Sequence, residues 1–155
     1  MTPEVVTIGL GYIGLPTSAL IAQHKTHVLG VDINKSVVET INKGEIHIVE
    51  PDLDKVVSEA VESGYLKEGD LYIIESTSPI GTTEKMEKLI YSTRPELTGK
   101  VFMAYCPERV LPGNVMYELV HNDRVIGGIN NNSTEKAIAF YKNYVKGELH
   151  ATNSR

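Results

Sequence analysis

Three glycines and one acid stand at spacings that could do chemistry. Gly9, Gly11 and Gly14 form Gly-x-Gly-x-x-Gly directly after the apolar run Val5-Val-Thr-Ile8. Such a turn lets a backbone approach a pyrophosphate, and the helix that follows offers free N–H groups to it. Asp32 ends the next apolar run, eighteen residues after Gly14. There a carboxylate can accept both ribose hydroxyls of an adenosine. It would repel a 2′-phosphate, so the cofactor expected is NAD rather than NADP. The rival ligand is S-adenosylmethionine, which also uses a glycine loop and an acid after the second strand.

Two further loops carry reactive side chains. Ser76-Thr-Ser-Pro-Ile-Gly81 is rich in hydroxyls, which suit phosphate, ribose or water. It reads equally well as a turn that leads into a helix. Cys106-Pro-Glu-Arg-Val-Leu-Pro-Gly113 holds Glu108 beside Arg109. A carboxylate could act as a base, and a guanidinium could bind phosphate. By composition alone the pair reads better as solvated ions on a loop. Cys106 reads as an inert thiol, because no histidine stands where it could activate the sulfur.

The elements that position these loops alternate. Val5–Ile8, His27–Asp32, Leu71–Glu75, Val101–Tyr105 and Arg124–Gly127 read as strands. Helices are expected from Ile13 to His24, Lys35 to Asn42 and about Leu53 to Val61. A fourth should carry Met86, Leu89 and Ile90, a short one Val115 to Val120, and a last one Ala137, Phe140, Tyr141 and Tyr144. Ser36 with Glu39, Thr82 or Thr83, and Asn132 with Glu135 are the expected caps. The polar tail from Glu148 has no assigned structure. This alternation predicts an α/β fold, Rossmann-like and doubly wound, with a mostly parallel sheet in a single shortened domain. The strand order expected is 2-1-3-4-5, with Leu71–Glu75 directly against Val5–Ile8.

With 155 residues, 41% of them apolar, the chain can bury one core. A net charge of −5 gives no basic footprint for nucleic acid. No apolar run is long enough to span a bilayer, so no membrane partner is expected. The single cysteine and scattered histidines suggest no metal site. Met-Thr-Pro-Glu lacks the regions of a secretory signal, so the expected compartment is the cytoplasm.

Taken together, Ile8–Pro16, Val31–Asn34, Gly44–Leu53, Glu75–Gly81, Tyr105–Gly113 and Asn122–Gly128 resemble the UDP-glucose/GDP-mannose dehydrogenase family. The resemblance covers nearly the whole chain. It implies oxidation of a sugar C6 alcohol to a carboxylate with two NAD+, through a cysteine-bound intermediate. The implied substrate is a UDP-sugar, with UDP-N-acetylmannosamine expected, and the expected assembly is a homo-oligomer. Tyr12, Ile13 and Asp32 match the family's cofactor contacts. Thr77 matches a threonine near the nicotinamide and a catalytic water. Glu108 matches a glutamate of the hydrolytic half-reaction, and Arg109 and Val110 match substrate contacts. The resemblance thus reverses the solvated-pair reading of Glu108 and Arg109.

The departures are equally specific. The family's central helix, with its lysine and asparagine, and the later domain with its Gly-Gly-x-Cys nucleophile have no match here. Cys106 is not that nucleophile. Several tens of residues, including a Val-Pro-Thr-Pro cofactor loop, have no counterpart near residues 66–71. The expected domain is therefore 1–155, an NAD-binding domain with an internal gap and no catalysis of its own. A non-catalytic dinucleotide-binding module and an inactive fragment are the alternatives.

Overall fold

A computed structural model describes residues 5–45, 70–111 and 114–154. The expected helix over Leu53–Val61 lies outside them. The chain divides into two compact units, Met1–Tyr65 and Leu66–Arg155.

In the first unit, β1 (Val5–Ile8) pairs in parallel with β2 (Val28–Val31), Val5 opposite Val28 and Ile8 opposite Val31. Helix α1 (Gly14–Gln23) makes the crossover, with Pro16 in its first turn, where a missing N–H costs little. It buries Leu20 and Ile21. Helix α2 (Lys35–Asn42) follows and buries Val37. Its cap is Asn34, whose side chain accepts the Ser36 N–H, and not the expected Ser36–Glu39 box. Glu39 instead reaches Lys35, 3.8 Å away and well exposed.

In the second unit, β3 (Leu71–Ile74) and β4 (Phe102–Tyr105) are parallel. β5 (Arg124–Gly128) runs antiparallel to β4 and parallel to β6 (Leu149–Asn153). Helix α3 (Thr82–Thr93) joins β3 to β4 and buries Met86 and Ile90, with Leu89 half-buried. Its N-cap is Gly81, in a left-handed conformation at φ 85°, and not a threonine. Short α4 (Val115–His121) precedes β5. Helix α5 (Asn131–Tyr141) follows it and buries Ala137 and Tyr141. Asn130 caps α5 by accepting the Ser133 N–H, two residues before the expected cap. The core of this unit gathers Ile90, Met103, Leu119 and Ile126, each fully buried. Each such side chain contributes about 2 kcal/mol of transfer free energy.

The ladders correct the expected sheet. Among the described residues the strands form two sheets, β1-β2 and β3-β4-β5-β6, and not one sheet of order 2-1-3-4-5. The relative order of β3, β4 and β5 is as expected. The tail, unassigned from sequence, forms edge strand β6, whose five residues pair with all five of β5.

Candidate cofactor and catalytic site

The glycine turn is built from the end of β1. Gly9 takes φ 84°, a conformation that favours glycine, and its N–H extends the ladder to the Val31 carbonyl at 2.8 Å. Gly14 begins α1, and a Cβ there would run into the Gly9 carbonyl oxygen. The turn therefore packs as tightly as its glycine spacing implies. Ile13, the N-cap of α1, provides no side-chain cap. First-turn amides without a side-chain cap can receive an anion, aided by the helix dipole. Gly11 is buried, Tyr12 is exposed and Ile13 is half-buried.

Asp32 stands just past β2. Its Oδ2 accepts the Leu10 N–H at 2.9 Å and its Oδ1 the Asn34 N–H at 2.8 Å. Each carboxylate oxygen keeps a second lone pair, so the group still has acceptors for ribose hydroxyls. The residues present thus fit a dinucleotide: a tight glycine turn, a helix start without a side-chain cap, and an acid at the second strand's end.

In the second unit, the carboxyl ends of parallel β3 and β4 bring the Ser76 and Cys106 loops side by side. The Cys106 N–H donates to the Ile74 carbonyl and the Glu108 N–H to the Glu75 carbonyl, at 2.9 and 3.0 Å. The Ser78 N–H donates to the Tyr105 hydroxyl at 3.3 Å. Thr77 is exposed at the first of these loops. A cavity of about 260 Å³ beside them, mostly apolar in its lining, is bordered by Ile80, Val125, Ser78, Tyr105 and Thr152.

Glu108 does not face solvent with Arg109. Its side chain is 4% exposed and forms an ion pair with Arg124, whose side chain is 5% exposed. Its Oε1 accepts the backbone N–H of Arg109 at 2.7 Å, while the Arg109 residue is exposed and Val110 half-buried. Arg124 also lies 3.9 Å from Glu75, and the Tyr141 hydroxyl donates to Glu75 at 2.7 Å. Burial works against the Arg124 charge, but Glu108, then Tyr141, Cys106 and Glu75, outweigh it and raise its pKa. Burial, then Glu75, hold the Tyr141 phenol well above its ordinary range.

Cys106 is fully buried. Burial pushes its thiol up to about 11, against the pull of Arg124. A thiol so placed is a poor nucleophile at neutral pH, which agrees with its sequence reading as inert.

Sequence reasoning missed the convergence of Glu108, Glu75 and Tyr141 on Arg124. One signal was present: an arginine opening an otherwise apolar strand, Arg124-Val-Ile-Gly, needs a buried partner. Among the described residues no three His, Cys, Asp or Glu side chains cluster as metal ligands would. No described helix is long and apolar enough to cross a membrane.

A parallel strand pair with a helical crossover, a glycine turn and an acid at the second strand's end defines a dinucleotide-binding domain of the dehydrogenase type. The chain belongs to the UDP-glucose/GDP-mannose dehydrogenase family, whose NAD binding domain matches residues 3–69 and 63–145. The cofactor is NAD. The UDP-N-acetyl-D-mannosamine dehydrogenase of Yersinia pestis is 45% identical over 201 residues, covering 97% of this chain and 48% of the relative. That of Escherichia coli K12 is 44% identical with the same coverage. A solved UDP-N-acetylmannosamine dehydrogenase from Pyrococcus horikoshii superposes with a TM-score of 0.81 at 32% identity, over 96% of this chain and 46% of that one. The chain spans about half the length of the curated relatives it matches. The Yersinia match runs over more residues than the 155 of the whole chain, so that relative carries residues inside the matched span that have no counterpart here.

Proposed function

We propose that the chain is the cofactor-binding part of a nucleotide-sugar dehydrogenase that oxidises UDP-N-acetyl-D-mannosamine to its uronic acid. The observation that carries the cofactor half is the Asp32 carboxylate tied to the glycine turn at 2.9 Å. The names of the 45% and 44% identical relatives support the sugar. Residues 1–155 act as one NAD-binding domain in this reading, shortened internally where its two matched stretches meet, over residues 63–69. The same reading puts the enzyme in the cytoplasm.

Gly9, Gly11 and Gly14 receive the pyrophosphate, Tyr12 and Ile13 flank it, and Asp32 accepts the adenosine ribose hydroxyls. Thr77 stands by the nicotinamide and orients water with its hydroxyl. Glu108 belongs to the hydrolytic step in this reading, as its match to the family's glutamate implies. Arg109 and Val110 contact the UDP-sugar, the guanidinium suiting its phosphates. Bound NAD+ accepts a hydride from the sugar.

A second reading, a dinucleotide-binding module without catalysis, is favoured for the 155 residues alone by the burial of Cys106. No other thiol is present to form a covalent intermediate. One pair of measurements separates the outcomes. Calorimetric titration should show NADH binding the chain. Incubation of the pure chain with UDP-N-acetylmannosamine and NAD+ should produce no NADH above a protein-free control. Failure to bind NADH would overturn the cofactor reading, and NADH production would overturn the inactivity of the isolated chain.

A further inference from the structure

Arg124 has no part in cofactor or substrate binding as just described, yet its side chain is 5% exposed. A guanidinium so far from water must find compensating partners. They come from four elements. Nη1 pairs with Glu108, on the segment after β4, and lies 3.9 Å from Glu75 Oε1 at the end of β3. Nη2 donates to the Leu119 carbonyl of α4 at 2.9 Å. The guanidinium carbon stands 5.0 Å from the centre of the Tyr141 ring on α5, a cation–π distance. Tyr141 in turn donates its hydroxyl to Glu75.

Glu108 is held from two sides. One oxygen meets Arg124, and the other accepts the Arg109 N–H at 2.7 Å. Without Arg124, desolvation of the carboxylate would be uncompensated, and the side chain would swing to water. We propose that Arg124 is the positioning residue of Glu108: it keeps the carboxylate turned inward and so sets how the Pro107–Val110 segment presents its neighbours. Its bearing on catalysis rests on the reading of Glu108 as a residue of the hydrolytic step. The geometric claim stands apart from that reading.

Removing one partner of a buried ion pair leaves the other charge uncompensated, so the fold of Arg124→Met is followed in the same experiment and Arg124→Lys stands beside it. The test is carboxyl labelling of the 155-residue chain with carbodiimide and glycine ethyl ester, read by mass spectrometry. Exposed Glu135 is the internal reference, and amide exchange at buried Ile126 reports the fold. In the unmodified chain Glu108 should label at least about tenfold more slowly than Glu135. Arg124→Met should bring the two within about threefold of each other, with Ile126 still protected. Arg124→Lys keeps the charge but loses the forked reach to both Glu108 and Leu119, so its labelling should fall between the two.

Unchanged Glu108 labelling in a folded Arg124→Met chain overturns the proposal. So does an equal rise at Glu135, which would make Arg124 a general support of the fold. If Arg124→Met does not fold, Arg124→Lys decides: a severalfold rise confined to Glu108 supports positioning, and no rise overturns it. Labelling calls on neither NAD nor sugar, so it can fail while the dinucleotide titration succeeds, and the reverse.

Discussion

Asp32 Oδ2 accepts the backbone N–H of Leu10 at 2.9 Å, across twenty-two residues of chain. The acid that should meet the adenosine ribose thus also latches the turn that should meet the pyrophosphate. NADH should bind more tightly than NADPH, because a 2′-phosphate would face this carboxylate. Asp32→Asn leaves one acceptor oxygen and puts an NH2 at the other position, which cannot serve both Leu10 and Asn34. Affinity for NADH should fall about tenfold and the preference over NADPH should narrow. Calorimetric titration of both cofactors checks this, and an unmodified chain that prefers NADPH would refute it.

Gly14 tests the turn from its other side. A methyl group at this position meets the Gly9 carbonyl oxygen, which belongs to backbone and cannot swing away. Gly14→Ala should lower stability by about 1–3 kcal/mol and abolish measurable NADH binding. Urea unfolding and the same titration read the two effects. Retained binding would mean that the turn can relax without cost to the site.

Alkaline stability should report the buried thiol. Below pH 9 Cys106 is protonated in both folded and unfolded chains. Between pH 9 and about 11 the unfolded thiol loses its proton while burial keeps it on in the folded chain. The unfolded state then binds fewer protons, so stability falls as pH rises, by at most about 2–3 kcal/mol over that window. Tyr141, also raised by burial, acts in the same direction. Cys106→Ala should flatten the decline partially. An identical slope in the variant, measured by denaturant unfolding from pH 8 to 11, would contradict it.

Tyr141→Phe keeps the ring beside Arg124 and removes the hydroxyl that donates to Glu75 at 2.7 Å. Loss of a charge-assisted hydrogen bond should cost about 1–3 kcal/mol at pH 7. The variant should also lose the tyrosine's share of the alkaline decline. Thermal unfolding at neutral and alkaline pH separates the two contributions.

The stretch from Val5 to Asp32 was legible from sequence because its strand, turn, helix and second strand are contiguous. Their contacts follow from spacing, apolar runs and the conformations open to glycine. The burial of Cys106 was legible for the same reason, since it directly follows an apolar strand. Caps were less so: Asn34, Gly81 and Asn130 each lie one or two residues from the expected positions. Several neighbouring Ser, Thr and Asn residues can cap equally well, and backbone dihedrals choose among them.

Leu149–Asn153 carries no strong alternation, and it is a strand because β5 offers it a ladder. The sheet pairing was also beyond the sequence. An apolar strand announces that it will be buried, but not which edge it will join. Tertiary structure alone decided that Glu108 turns from adjacent Arg109 to Arg124 and that Tyr141 reaches Glu75. Those side chains come from separate elements, and only their shared removal from water makes each the other's necessary partner.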